Sequence, residues 1–108
     1  MANDTYDVMV IGGGAAGMMS AGVAASRGKR VLLIEKNKKL GEKLSITGGG
    51  RCNIANAEED EWVLLSHFGT AGDFLHSPFS KFGLKETFAF FDSIGVPTTV
   101  EARKRAFP

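Results

Sequence analysis

The pattern Gly12-x-Gly14-x-x-Gly17, set directly after an apolar run, constrains this chain more than any other feature. Tyr6 to Ile11 reads as a buried strand, and Arg30 to Ile34 reads as a second one that ends in Glu35. Between them Ala15, Met18, Met19, Gly22, Val23 and Ala25 recur at spacings of three and four, which predicts a helix with one apolar stripe against a sheet. Gly28 supplies a natural C-terminal stop, since the left-handed residue that closes many helices is least strained as glycine. Glycine is abundant, 14 of 108 residues, so the three glycines alone could mark a simple loop. Placed between strand and helix, they predict a dinucleotide-binding βαβ unit.

Each glycine has its own steric task. Gly12 permits the tight turn off the strand, the missing Cβ of Gly14 lets a pyrophosphate approach, and Gly17 lets the helix pack closely on the sheet. The amides around Ala15 and Ala16 then face the phosphates from a helix N-terminus, where the macrodipole adds partial positive charge. Glu35 follows Gly12 by 23 positions. That is near the roughly 20 expected for the acid that accepts hydrogen bonds from the adenosine ribose. An acid there repels a 2′-phosphate and favours FAD or NAD over NADP.

A second glycine cluster, Thr47-Gly48-Gly49-Gly50-Arg51-Cys52-Asn53, follows a basic, polar stretch. Three successive glycines are poor in helix or strand and suit backbone lying close to a flat or charged ligand, although a flexible linker has the same composition. Arg51 can offer a fork of donors to a phosphate, a carboxylate or a structural acid. Asn53 can fix the loop through side-chain to backbone bonds.

The run DVMVIGGGAAGMMSAGVAASRGKRVLLIEKNKKLGEKLSITGGGRCNIAN, with its combination of G-x-G-x-x-G, E-K-N, G-x-K-L and [ST]-G-G-G-R-C-N, resembles the start of a bacterial flavoprotein family. These are the NAD(P)/FAD-dependent, aminoacetone-oxidase-like oxidoreductases of the YhiN and BaiN type. The later run FFDSIGVPTTVEARKRAFP is similar to that family's helix, "LGV", strand and "E…GRVFP" segment, with Lys104 and Ala106 around Arg105 where the family commonly has glycine and valine. The resemblance implies an α/β fold of Rossmann type with a mostly helical extension, within a larger doubly wound domain. It implies that Gly12, Gly14, Ala15, Ala16 and Gly17 hold the FAD pyrophosphate and that Glu35 and Lys36 meet the ribose region. Lys43, Thr47, Gly48, Gly49, Gly50, Arg51, Cys52 and Asn53 would line the flavin side. NAD(P)H is the implied electron donor. No catalytic residue is assigned.

Composition narrows the rest. The chain is 44% hydrophobic and 23% charged, as ordinary globular domains are. A net charge of +1 gives no long-range field toward nucleic acid or an anionic membrane. Arg103, Lys104 and Arg105 read as a solvated turn rather than a nucleic-acid patch. Met1 to Asp7 lacks the blocks of a signal peptide, and no apolar run approaches the roughly 18 residues of a membrane span. The expectation is a cytoplasmic protein acting on a small molecule, with no nucleic-acid or membrane partner and an open oligomeric state. The single cysteine, Cys52, cannot form an internal disulfide. It is either a small packing residue in a tight loop or a thiolate favoured by Arg51 and the glycine amides.

Two parts are expected: residues 1–56, the βαβ unit with its glycine loop, and residues 57–108, a helical extension with an edge strand. The acidic run Glu58 to Glu61 opens a short helix whose apolar face is Trp62, Val63, Leu64, Leu65 and Phe68. Asp73 to His76, Pro78 to Phe82 and Leu84 to Ile94 read as further short helices, the last with Leu84, Thr87, Phe88, Phe91 and Ile94 on one face. Gly95 and Pro97 end it, and Thr98 to Glu101 reads as an edge strand. The phenylalanines at helical spacing read as core, and His67 and His76 lack the partners of a metal site. One βαβ unit is short for a complete cofactor pocket, so the sequence is expected to stop inside a larger oxidoreductase and to bind FAD weakly when isolated. The alternatives are a module that holds a nucleotide without turnover and a portion that binds no cofactor alone.

Overall fold

The first two apolar runs pair in parallel as β1 (Val8–Ile11) and β2 (Val31–Ile34), in the register Val8↔Val31 through Ile11↔Ile34. The structure is a computed structural model that describes residues 5–108, so the first four residues of the segment considered above for a leader lie outside the described residues. Both strands are shorter than the apolar runs suggest. At their entry the Asp7 backbone N–H donates to Arg30 O at 2.8 Å and the Asp7 carboxylate accepts from the Arg30 backbone N–H at 2.8 Å, so a side chain takes one of the two bonds that close the pair.

The crossover is α1 (Ala15–Ser26), which packs on both strands. Its half-buried face is Gly17, Met18, Met19, Ala21 and Ala24, whereas Ala15, Gly22, Val23 and Ala25 of the expected stripe are exposed. The helix is apolar nearly all round, so periodicity could not choose a face. Close approach did: a Cβ on Gly17 would lie 1.7 Å from the Gly12 carbonyl oxygen. The C-terminus closes as expected at Gly28, φ +75°, with Gly28 N–H donating to Ala25 O and Lys29 N–H to Ala24 O, a Schellman arrangement. After β2 the chain enters α2 (Glu42–Gly50), which is interrupted where Thr47 is extended and Gly48 and Gly49 are left-handed, at φ 59° and 70°.

Contacts divide the chain into two units, Met1–Gly50 and Arg51–Pro108. The division falls inside the glycine loop. The second unit contains β3 (Ala55–Asn56), α3 (Glu61–Ser66), α4 (Ala71–Lys81), α5 (Leu84–Ser93), β4 (Thr99–Glu101), a 3₁₀ turn Ala102–Lys104, and β5 (Arg105–Phe107). Its sheet is antiparallel in the order β3-β5-β4, so β4 is the edge strand expected, but its partners β3 and β5 were not foreseen. Strands of two and three residues carry no readable period.

Asp60 caps α3 by accepting from the Trp62 and Val63 N–H groups at 2.9 and 3.2 Å. Only Leu65 of the expected apolar face is fully buried, and Trp62 is 74% exposed. Gly72 explains why Leu65 can be buried: a Cβ there would stand 2.5 Å from the Leu65 carbonyl, so α3 and α4 meet at glycine. The two short helices expected on either side of Pro78 are one helix, α4. The proline's missing donor falls opposite the carbonyl of the exposed Phe74, where water can replace it. The aromatic core is narrower than expected. Phe107 is buried and Phe79, Phe88, Phe90 and Phe91 are half-buried, but Phe68, Phe74 and Phe82 are exposed, as is Ile94 on α5.

Gly17→Ala tests the packing of the first unit. The added methyl cannot coexist with the Gly12 carbonyl, so α1 must move off the sheet, and denaturant titration should show a loss of about 1–3 kcal/mol or more, the usual range for overpacking. Unchanged stability would contradict the contact.

Candidate functional site

The glycine turn is built by four close approaches. Gly12 adopts φ +102° and its N–H donates to Ile34 O at 2.8 Å, so the turn begins while still bonded to β2. Gly13 is buried, donates its N–H to the Glu35 carboxylate at 2.7 Å and accepts from Gly41 N–H at 2.7 Å. A Cβ on Gly13 would meet Leu40 Cδ2 at 2.4 Å and Glu35 Oε2 at 3.0 Å. That requirement escaped the sequence reading, whose motif leaves the position free. Gly14 is the opposite case: a Cβ there would meet nothing within 4 Å, so its side of the turn is open to a ligand.

Gly14 is the N-cap of α1, makes no side-chain cap bond, and is followed by a first turn without an acid. The leading N–H groups of a helix have no partner inside it. Those of Ala15, Ala16 and Gly17 therefore lie at the positive end of a 12-residue helix with no built-in counter-charge.

Glu35 sits across the turn. One carboxylate oxygen accepts from Asn37 N–H at 2.8 Å and the other from Gly13 N–H at 2.7 Å. Those two bonds, the Asn37 one foremost, hold its carboxyl below the ordinary carboxylate value, helped by the neighbouring Lys36 charge. The acid read as a ribose acceptor is thus also a clamp on the turn, with a lone pair remaining on each oxygen. Lys36 and Lys43 are exposed. Thr47 Oγ1 donates to Leu44 O at 2.7 Å, and Gly49 and Gly50 have open space where a Cβ would stand.

The remaining predicted residues, Arg51, Cys52 and Asn53, belong to the second unit, whereas Thr47 to Gly50 belong with the glycine turn in the first. Arg51 is engaged: Nη1 and Nη2 donate to the two Glu101 oxygens at 2.8 and 2.9 Å, and its guanidinium lies 4.1 Å from the Phe107 ring centroid. Of its three expected partners, the structural acid is present. Glu101 escaped the sequence reading, because pairing across 50 positions leaves no local signal. Cys52 is half-buried in a left-handed conformation, φ 63°. Asn53, with its amide nitrogen turned toward the carbonyls, donates to Ala55 O at 3.2 Å and Ala106 O at 3.1 Å, tying the loop to β5. His76 packs against Trp62 with ring centroids 4.3 Å apart and the ring planes tilted by 47°. Among the described residues no group of three His, Cys, Asp or Glu side chains is placed to hold a metal ion.

A profile of the family described as HI0933-like protein Rossmann domain matches residues 6–108. The chain belongs to this family. A ribosomal RNA dihydrouridine synthase of Escherichia coli strain K12 is 44% identical to this HI0933-like domain over 63 residues, 58% of the chain and 16% of that protein. A 3-dehydro-bile acid delta(4,6)-reductase of Clostridium scindens is 36% identical over 92 residues, 82% of the chain and 22% of the relative. Cinnamate reductase of Clostridium sporogenes is 55% identical over 61 residues, covering 56% of the chain and 8% of that enzyme. The HI0933-like domain thus spans about a fifth or less of these relatives. Among its described residues no helix is long and apolar enough to cross a membrane.

The Glu35 clamp has a pH signature. A carboxyl held below its ordinary value of 4.5 stabilises the fold above that pH and ceases to do so as pH falls through the lowered value. Glu58, held low chiefly by Lys104, Glu86, held low by bonding at its helix start, and Glu101, held low by Arg51, act in the same direction. Thermal midpoints should therefore fall below about pH 4.5, and Glu35→Gln should lower the midpoint at neutral pH while reducing its fall in acid. A variant whose midpoints matched wild type at every pH would refute the clamp.

Proposed function

We propose that this domain binds the ADP portion of FAD in a flavin-dependent oxidoreductase that reduces a carbon–carbon double bond. The observation that carries the binding is the open side of Gly14 beside the unpaired α1 amides, a cradle that any Cβ would begin to fill. Gly12, Gly14, Ala15, Ala16 and Gly17 would hold the pyrophosphate, with Gly13 and Gly17 keeping the turn closed. Glu35, already oriented by two backbone amides, would take the ribose hydroxyls on its free lone pairs, with Lys36 beside it. Lys43 and the stretch Thr47, Gly48, Gly49, Gly50, Arg51, Cys52 and Asn53 would serve the flavin side, the glycines by leaving room for close approach. Cys52 acts in packing.

The reaction class follows from the chemistry in the relatives' names. A dihydrouridine synthase and a delta(4,6)-reductase each bear a name that describes saturation of a carbon–carbon double bond, and the cinnamate of a cinnamate reductase contains one. Bound reduced flavin would supply the hydride for one carbon, while a proton must reach the other. NAD(P)H is the proposed donor and a small molecule the proposed substrate, in a cytoplasmic enzyme. The synthase supports a second reading, in which the unsaturated ring is a pyrimidine of RNA. A net charge of +1 favours the small molecule.

The test is visible absorbance. The full-length protein should purify with bound flavin, and Gly14→Val should lose essentially all of it while keeping the wild-type circular dichroism spectrum, because the added side chain faces open space and not protein. A colourless wild-type protein that binds adenine nucleotides would favour the non-catalytic module, and flavin at full stoichiometry in Gly14→Val would remove the proposed pyrophosphate contact.

A further inference from the structure

The segment that leaves β2 grips the Gly13 backbone at both of its polar groups. Gly13 N–H donates to the Glu35 carboxylate at 2.7 Å, and Gly13 O accepts from Gly41 N–H at 2.7 Å. Glu35 and Gly41 are the two ends of one short loop, and Leu40 packs against the Cα of Gly13 between them. Gly13 and Gly41 are both buried. A bond lost there is not made up by solvent.

Each bond sets a peptide plane. In a trans peptide the C=O and the following N–H point in opposite directions. The hold of Glu35 on Gly13 N–H turns the Gly12 carbonyl the other way, onto the bare face of Gly17 in α1. By the same rule the hold of Gly41 on Gly13 O turns the Gly14 N–H away from the loop. That N–H makes no hydrogen bond among the described residues, and Gly14 is exposed, with nothing within 4 Å of where a Cβ would stand. Rotation of the Gly13–Gly14 peptide would put a carbonyl oxygen where the N–H stands, exchanging an anion donor for a group that repels anions.

The conformation of Gly41 carries this bond. Its backbone is left-handed, φ +64°, and its carbonyl accepts from Ser45 N–H at 2.8 Å at the start of α2. A Cβ on it would stand 2.9 Å from Met18 Cε of α1, the movable end of a flexible side chain. With α2 fixing the chain on one side, a residue that resists positive φ must displace the N–H on the other. We propose that Gly41 is a positioning residue of the pyrophosphate site: by holding the Gly13 carbonyl it keeps the Gly14 N–H aimed outward, as a donor to a phosphate of the ADP moiety beside the α1 amides. This role rests on the ADP-binding reading given above and adds to it a residue outside the glycine motif.

Equilibrium dialysis of the flavin-free full-length protein with ADP and with adenosine tests the role without turnover. Adenosine lacks the phosphates, so the ratio of the two affinities reads the donors on the turn. Gly41→Val and Gly41→Asn place a Cβ at the same point beside Met18, but asparagine accepts left-handed backbone whereas a β-branched residue resists it. Gly41→Val should cut ADP affinity at least about tenfold, the scale of one hydrogen bond to a charged acceptor, and leave adenosine unchanged within about twofold. Gly41→Asn should recover most of the wild-type preference for ADP. A glycine needed only for the fold would weaken both ligands together. An undiminished ADP preference in Gly41→Val, equal losses for ADP and adenosine, or equal losses in the valine and asparagine variants overturns the proposal. Where Gly41→Val loses the wild-type circular dichroism spectrum, Gly41→Ala takes its place, with a smaller loss in the same direction. A wild-type protein without preference for ADP over adenosine removes the pyrophosphate reading itself, and the role of Gly41 with it.

Discussion

The approach of α1 to the Gly12 carbonyl governs the first unit. With 1.7 Å between that oxygen and a hypothetical Gly17 Cβ, the helix can lie where it does only because the residue has no side chain. That contact sets the rotation of α1, which in turn leaves Gly14 on the open side of the turn and aims the leading amides outward. Gly13 is compressed against Leu40 and held by Glu35, so the turn is clamped from the opposite side. Receptivity to an anion is therefore a consequence of packing: the same steric economy that closes helix on strand exposes the unpaired helix end.

Much of this is legible in the sequence. The βαβ unit, the Gly28 stop and the strand following α5 rest on strong local signals: a glycine where left-handed backbone is needed, or two apolar runs of matched length. The inward face of α1 was not legible, because a helix made mostly of alanine, methionine and glycine offers periodicity nothing to discriminate. The clamp by Glu35 on Gly13 and the pair between Arg51 and Glu101 were also hidden, since partners 22 and 50 positions apart meet only through tertiary structure. In the second unit the sequence emphasised aromatic side chains, whereas the burial falls on Leu65, Ala106 and Phe107. Ala106 is central because β5 lies between two neighbours, a fact of sheet order and not of hydrophobicity.

Asn53 and Arg51 show how a glycine-rich stretch becomes ordered. Gly48, Gly49 and Gly50 supply left-handed backbone, the last two with open space where a Cβ would stand, and the next three residues immediately return the chain to fixed positions on β5 and Glu101. The left-handed Cys52 sits at that return. Backbone freedom and side-chain anchoring are thus adjacent in the chain, an arrangement that limits the entropy lost if a ligand orders the glycines.

The division of the chain at Gly50 and Arg51 also separates its chromophores. The only tyrosine, Tyr6, enters β1 in the first unit, and the only tryptophan, Trp62, stands on α3 in the second, packed against His76. Each half therefore carries its own optical reporter. Tryptophan emission follows the loss of the α3–α4 contact, while tyrosine emission follows the βαβ unit, so superimposable transitions would mean that both units melt as one cooperative body. Displaced transitions would give each unit its own stability without a single substitution.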